Sequence, residues 1–123
     1  MRINTFDIIG KEFKVSRRIM VCDDEPFNVQ GLIIVLKAVV KKMGVSEKLV
    51  DELVDKCYNG KEAVKMVQES YYSNECNNGY ELILMDCNMP FMDGYDATYE
   101  IRNFLHSKNL IQPIILAVTG HTE

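Results

Sequence analysis

The sequence predicts an α/β domain built on a parallel sheet with helices on both faces, and three observations carry that expectation. Short, continuous apolar runs at residues 19–22, 82–85 and 114–118 suit strands buried on both sides. Segments with apolar residues at helical spacing separate them, which gives the alternation of a parallel sheet with right-handed crossovers. Each of the three runs also stops at polar residues: Asp23-Asp24, Asp86 and Thr119. In an open sheet of this type, chemistry collects beyond the carboxyl ends of the strands.

Taken in order, residues 1–17 show no clear period and lead into Ser16-Arg17-Arg18, so they read as a leader or linker. A strand follows at residues 19–22. Pro26 suits a first helical position, with acidic residues just before it. Val29, Leu32, Ile33, Leu36, Val40 and Met43 recur at helical spacing, and Gly44 offers a stop. Residues 46–57 read as a short helical or loop insertion and then a strand ahead of Asn59-Gly60. A helix over residues 61–71 carries Ala63, Val64, Val67 and Tyr71 on one side, and the polar residues 73–79 form a loop. After the strand at 82–85 comes a turn containing Pro90 and Gly94, with Gly94 expected to supply unusual backbone angles. A helix over residues 95–106 places Ala97, Ile101, Phe104 and Leu105 together, and Pro113 opens the last strand.

The 123 residues fit one domain with a single core. A net charge of −4 argues against a nucleic-acid-binding surface, which needs a basic stripe. No apolar run is long enough to span a bilayer, so direct membrane contact by this segment is not expected. Cys22, Cys57, Cys76 and Cys87 contain no Cys-x-x-Cys pair and are read as reduced thiols in a cytoplasmic compartment. Only His106 and His121 could join them around zinc, which is thin support. Met85, Met89 and Met92 are read as packing rather than as a soft-metal site.

Asp23, Asp24 and Asp86 are the candidate site. Singly, each has an ordinary explanation, since Asp23-Asp24 can cap the helix begun at Pro26 and Asp86 can open a turn. Three acids at two strand ends call for a joint one. Carboxylates held together repel, and a hard cation such as Mg²⁺ with its oxygen ligands relieves the repulsion. Beside such an ion a carboxylate can attack phosphorus to form an aspartyl-phosphate, while the metal neutralises charge on the transferred group.

Two stretches then identify a family. Ile19-Met20-Val21-Cys22-Asp23-Asp24-Glu25-Pro26 and Leu82-Ile83-Leu84-Met85-Asp86-Cys87-Asn88-Met89-Pro90-Phe91-Met92-Asp93-Gly94 resemble the signature segments of response-regulator receiver domains, and Ala117-Val118-Thr119-Gly120 resembles a third. The resemblance covers residues 18–123, and Gly94 to Thr98 with Ile101-Arg102 is similar to receivers of hybrid histidine kinases. It implies the flavodoxin/CheY-like doubly wound sheet with strand order 2-1-3-4-(5). It further implies that Asp86 accepts a phosphoryl group from a phosphohistidine on a histidine kinase or phosphotransfer protein. Asp24 and Asp86 would ligate Mg²⁺ (or Mn²⁺) directly, Asp23 through water, and Asn88 through its backbone carbonyl. Thr119 would act as the switch, with Asn88 and His121 tuning the lifetime of the phosphoryl group. For His121, an ordinary surface histidine stands beside that role.

The sequence departs from the family at its end. Receivers continue past the threonine strand through a helix, a Lys-bearing fifth strand and a final helix, whereas these 123 residues stop four after Thr119. The expectation is a truncated receiver, a fragment of a longer protein such as a histidine kinase, whose strand at 114–118 lies at an open edge and promotes self-association. Phosphorylation is expected to be weak without the Lys. Two other functions compete: a degenerate receiver that serves only as a protein-interaction module, and an aspartate-nucleophile phosphatase of the haloacid-dehalogenase type. The second is disfavoured because Asp86-Cys87-Asn88 lacks that family's second acid.

Overall fold

The computed structural model describes residues 2–3, 15–72 and 79–118. Nine elements follow in order: β1 (Arg2–Ile3), β2 (Val15–Cys22), α1 (Pro26–Lys42), α2 (Lys48–Leu53), β3 (Val54–Cys57), α3 (Gly60–Ser70), β4 (Tyr80–Asp86), α4 (Gly94–Ser107) and β5 (Ile114–Val118). Strands β3, β2, β4 and β5 lie side by side and parallel, the order 2-1-3-4 expected for the four strands read from sequence. The strand expected from Ile19 begins at Val15, inside the stretch read as a leader, and β1 pairs antiparallel with that early part. The polar residues 73–78 lie outside the described residues, as do Thr119 and His121.

Strand alternation divides the core in two. Met20, Cys22, Cys57, Ile83 and Met85 point to the face covered by α3 and α4, where they meet Ala63, Val67, Ala97, Ile101 and Leu105. Ile19, Val21 and Leu84 point the other way, onto Val29, Ile33 and Val40 of α1 and Val50 of α2. Fully burying one such aliphatic side chain contributes about 1.5–3 kcal/mol, so these two layers hold the sheet between its helices. On α1, Met43 departs from the expected buried stripe. It is the C-cap, 70% exposed, because the helix ends one residue before it.

The helix ends follow their local chemistry. Gly44 takes φ +79 and donates to Lys41 O, while Val45 N donates to Val40 O, the paired bonds of a Schellman motif. Helix α4 ends the same way with Asn109 at φ 55 in the left-handed position. Asn59 caps α3 by accepting from Glu62 N at 2.7 Å, and Asp93 caps α4 by accepting from Asp96 N at 2.8 Å.

At the amino end of the sheet, Arg18 grips Asp55 through two hydrogen bonds of 2.9 and 2.7 Å, and Tyr80 donates its hydroxyl to the same carboxylate at 2.6 Å. The three side chains tie β2, β3 and β4 together at the end opposite the acids. Burial and the bond to Asp55 push the Tyr80 phenol upward.

Candidate metal and phosphoacceptor site

Strands β2 and β4 are neighbours, with Cys22 level with Met85, so Asp23, just after β2, and Asp86, the last residue of β4, emerge at one edge. There Asp23, Asp24 and Asp86 each offer a carboxylate oxygen, all within 4.8 Å of one another. Asp23 and Asp86 are buried and Asp24 is exposed, leaving the cluster open on one side. The three acids read from sequence as one site are brought together.

Each buried acid is held in place by backbone. Asp23 Oδ1 accepts from Glu25 N at 2.9 Å and from Asn28 Nδ2 at 3.4 Å, so this carboxylate also shapes the entry to α1. Its own amide donates to Cys57 O at 3.0 Å, tying the acid loop to the end of β3. Asp86 Oδ1 accepts from Asn88 N at 3.2 Å. Glu25 is the N-cap of α1 without a side-chain capping bond, and it lies outside the carboxylate cluster.

The electrostatics of Asp86 show what the arrangement lacks on its own. Burial first, then the negative charges of Asp23 and Asp24, raise its carboxyl above the usual 3.8, against the opposing bond from Asn88 N. A hard cation relieves this repulsion, and three clustered carboxylate oxygens are the donors such an ion takes. The donor set therefore fits Mg²⁺.

Gly94 positions Asp86 in a way the sequence reading mistook. It needs no unusual backbone angle; it is required because a Cβ there would lie 2.1 Å from Asp86 O and 3.0 Å from Cys87 Cα. Gly94 N donates to Cys87 O at 3.1 Å, so the start of α4 is pressed against the end of β4. The positive φ of this loop belongs instead to Phe91, at 70°, with its ring fully exposed. Asn28 and Phe91 were missed from sequence. A helix-start Asn five residues after Asp23 was the available signal for Asn28; Phe91 had none.

Comparison with known proteins settles the family. A family model described as the response regulator receiver domain matches residues 19–123. The chain belongs to the response-regulator receiver family. It is 40% identical over 115 residues to histidine kinase CKI1 of Arabidopsis thaliana, covering 89% of this chain and 9% of that protein. Histidine kinase 1 of the same plant is 33% identical over 118 residues, covering 85% of this chain and 10% of the relative. The chain thus spans about a tenth of the length of these two kinases. The crystal structure of the CKI1 receiver domain complexed with Mg²⁺ superposes with a TM-score of 0.59 at 36% identity, covering 87% of this chain and 70% of that one. This receiver chain is accordingly related to those of hybrid histidine kinases in two-component systems.

Proposed function

We propose that this receiver accepts a phosphoryl group from a phosphohistidine onto Asp86 in a Mg²⁺-dependent reaction, as one step of a phosphorelay. The gathering of Asp23, Asp24 and Asp86 within 4.8 Å, at the carboxyl ends of two neighbouring parallel strands, is the observation that carries the reading. Asp24 and Asp86 would ligate the ion directly, Asp23 through water, and Asn88 through its backbone carbonyl, with Mn²⁺ an alternative metal. When bound, such an ion would supply positive charge against the phosphoryl oxygens. Asp86 supplies the attacking carboxylate oxygen, and Asn88 N–H holds the other geometry of that group through Oδ1. Thr119 serves as the switch that senses the new charge, and Asn88 and His121 set how long it persists. That the relative's receiver domain was solved with Mg²⁺ supports the choice of metal.

The donor is a histidine kinase or phosphotransfer protein, and the compartment is the cytoplasm. Among the described residues no helix is long and apolar enough to cross a membrane. The receiver segment runs from about residue 18 to 123, with β2 reaching back to Val15 and the earlier residues serving as leader or linker.

Incubation with a small phosphodonor tests the proposal. Acid-stable but base-labile label should appear on the wild type with Mg²⁺, vanish with chelator, and be abolished by Asp86→Asn. Label that survives in Asp86→Asn overturns the assignment, and no label on the wild type despite bound Mg²⁺ selects the interaction-module reading. The exposed Ile114 and Leu116 of β5 favour that second reading as a companion role, because they offer an apolar edge to another chain.

A further inference from the structure

A second cluster of metal-binding atoms lies beneath the acids, on the other side of Cys22, and the receiver chemistry does not use it. Cys22 and Cys57 are register partners on adjacent parallel strands, both fully buried and both facing α3. Both thiols reach the same acceptor, Asn59 O, at 3.5 Å from Cys22 and 3.2 Å from Cys57. Met89 brings a thioether to the same place, its Sδ 3.7 Å from Cys22 Sγ. Sulfurs from β2 and from the loop after β4 are therefore in contact, and the β3 thiol shares a carbonyl acceptor with the first of them. Read along the sequence, Met89 was packing and the cysteines were small hydrophobes; folding brings them together.

We propose that Cys22, Cys57 and Met89 form a buried site for a soft monovalent cation of the copper(I) class. Thiolate and thioether ligands select soft ions over Mg²⁺ or Ca²⁺. With metal–sulfur bonds of roughly 2.3 Å, the sulfurs of a trigonal site lie roughly 4 Å apart, and the Cys22–Met89 separation falls in that range. Binding exchanges thiol protons for the metal, and the protons leave to solvent. A cavity of about 390 Å³, lined by Asn59, Gly60, Lys61, Pro90, Phe91 and Met92, adjoins this place through Asn59, the residue whose carbonyl both thiols address. Met92 adds a further thioether at its wall. The proposal goes beyond the phosphoryl chemistry, because neither cysteine nor Met89 belongs to the carboxylate cluster.

Anaerobic titration with copper(I), in competition with a chromogenic copper(I) chelator, tests the site on the reduced 123-residue chain. The Cys76→Ser/Cys87→Ser variant keeps the proposed ligands and should still bind one equivalent. Adding Cys57→Ala to it should weaken binding by at least about 100-fold, the upper end of what losing even an outer-shell group does. Met89→Leu keeps the side-chain volume and should weaken binding by about 10-fold. Far-UV circular dichroism identifies any variant that has failed to fold. X-ray absorption on the copper-loaded Cys76→Ser/Cys87→Ser protein should show sulfur neighbours only. Loss of stoichiometric binding in that folded protein, unchanged binding on adding Cys57→Ala, or nitrogen or oxygen ligands around copper would overturn the proposal. None of these results bears on labelling of Asp86, so the two assignments stand or fall separately.

Discussion

Asp86 is held ready by the same burial and like charges that make it a poor anion in the absence of a cation. Its folded-state carboxyl lies above the usual value, mainly through burial and then through Asp23 and Asp24. The unfolded chain therefore loses this proton at lower pH than the folded one. The sign follows: below the ordinary carboxylate value the group makes no difference to stability. As pH rises through the raised value, the folded state is destabilised relative to the unfolded. In chelator, Asp86→Asn should accordingly be more stable than wild type at neutral pH, with the difference closing as pH falls to the ordinary carboxylate range. Urea unfolding across that range checks it, and a less stable Asn variant at neutral pH would contradict it. Saturating Mg²⁺ should stabilise the wild type by about 2.7 kcal/mol at 100 times its dissociation constant, and Asp86→Asn by much less. Gly94 gives a second test at this scale. In Gly94→Ala the new Cβ meets Asp86 O at 2.1 Å, and this is backbone that cannot swing aside. A loss of about 1–3 kcal/mol is expected, as for other overpacking, together with reduced labelling of Asp86. Unchanged unfolding midpoints would refute the close approach.

Elements were legible in the sequence where their signal was local. Continuous apolar runs marked the second half of β2, the centre of β4 and all of β5, and helical spacing marked α1, α3 and α4 to within a residue or two. The openings of β2 and β4 were not legible. Val15 to Arg18 and Tyr80-Glu81 mix polar with apolar residues, and what makes them strand is pairing with distant chain. Arg18, Asp55 and Tyr80 illustrate the limit: 37 residues separate the first two, and only the sheet makes them one unit. The three acids were legible for the opposite reason, since each directly follows an apolar run whose parallel neighbours fix where it ends. Their supports, Asn28 and the amides of Glu25 and Asn88, were not. Local caps are the testable part of element stability. Asn59→Ala removes the 2.7 Å bond to Glu62 N at the start of α3 and should cost about 1 kcal/mol. Thermal unfolding reads this directly; a shift within error would mean that another group satisfies the Glu62 amide.

At the scale of the whole molecule, the two faces of the sheet are covered unequally. Helices α3 and α4 close one face, whereas on the other α1 leaves Ile114 and Leu116 of β5 exposed, along with Phe27, Ile34 and Val35 of its own surface. Among the described residues, β5 pairs only with β4, so its outer edge presents free backbone donors and acceptors with no charged side chain to guard them. An apolar, uncharged edge is a template for strand pairing. Self-association of the 123-residue chain through residues 114–118 is the expected result, with sedimentation velocity showing a concentration-dependent shift to dimer or larger species. Leu116→Lys places a charge on this edge strand and should return the sample to monomer. Because Leu116 is already 50% exposed, the stability change should stay within about 0.5 kcal/mol, as for other surface positions. A wild type that sediments as monomer at all concentrations, with the β5 amides protected from hydrogen exchange, would mean that this edge is satisfied within the chain.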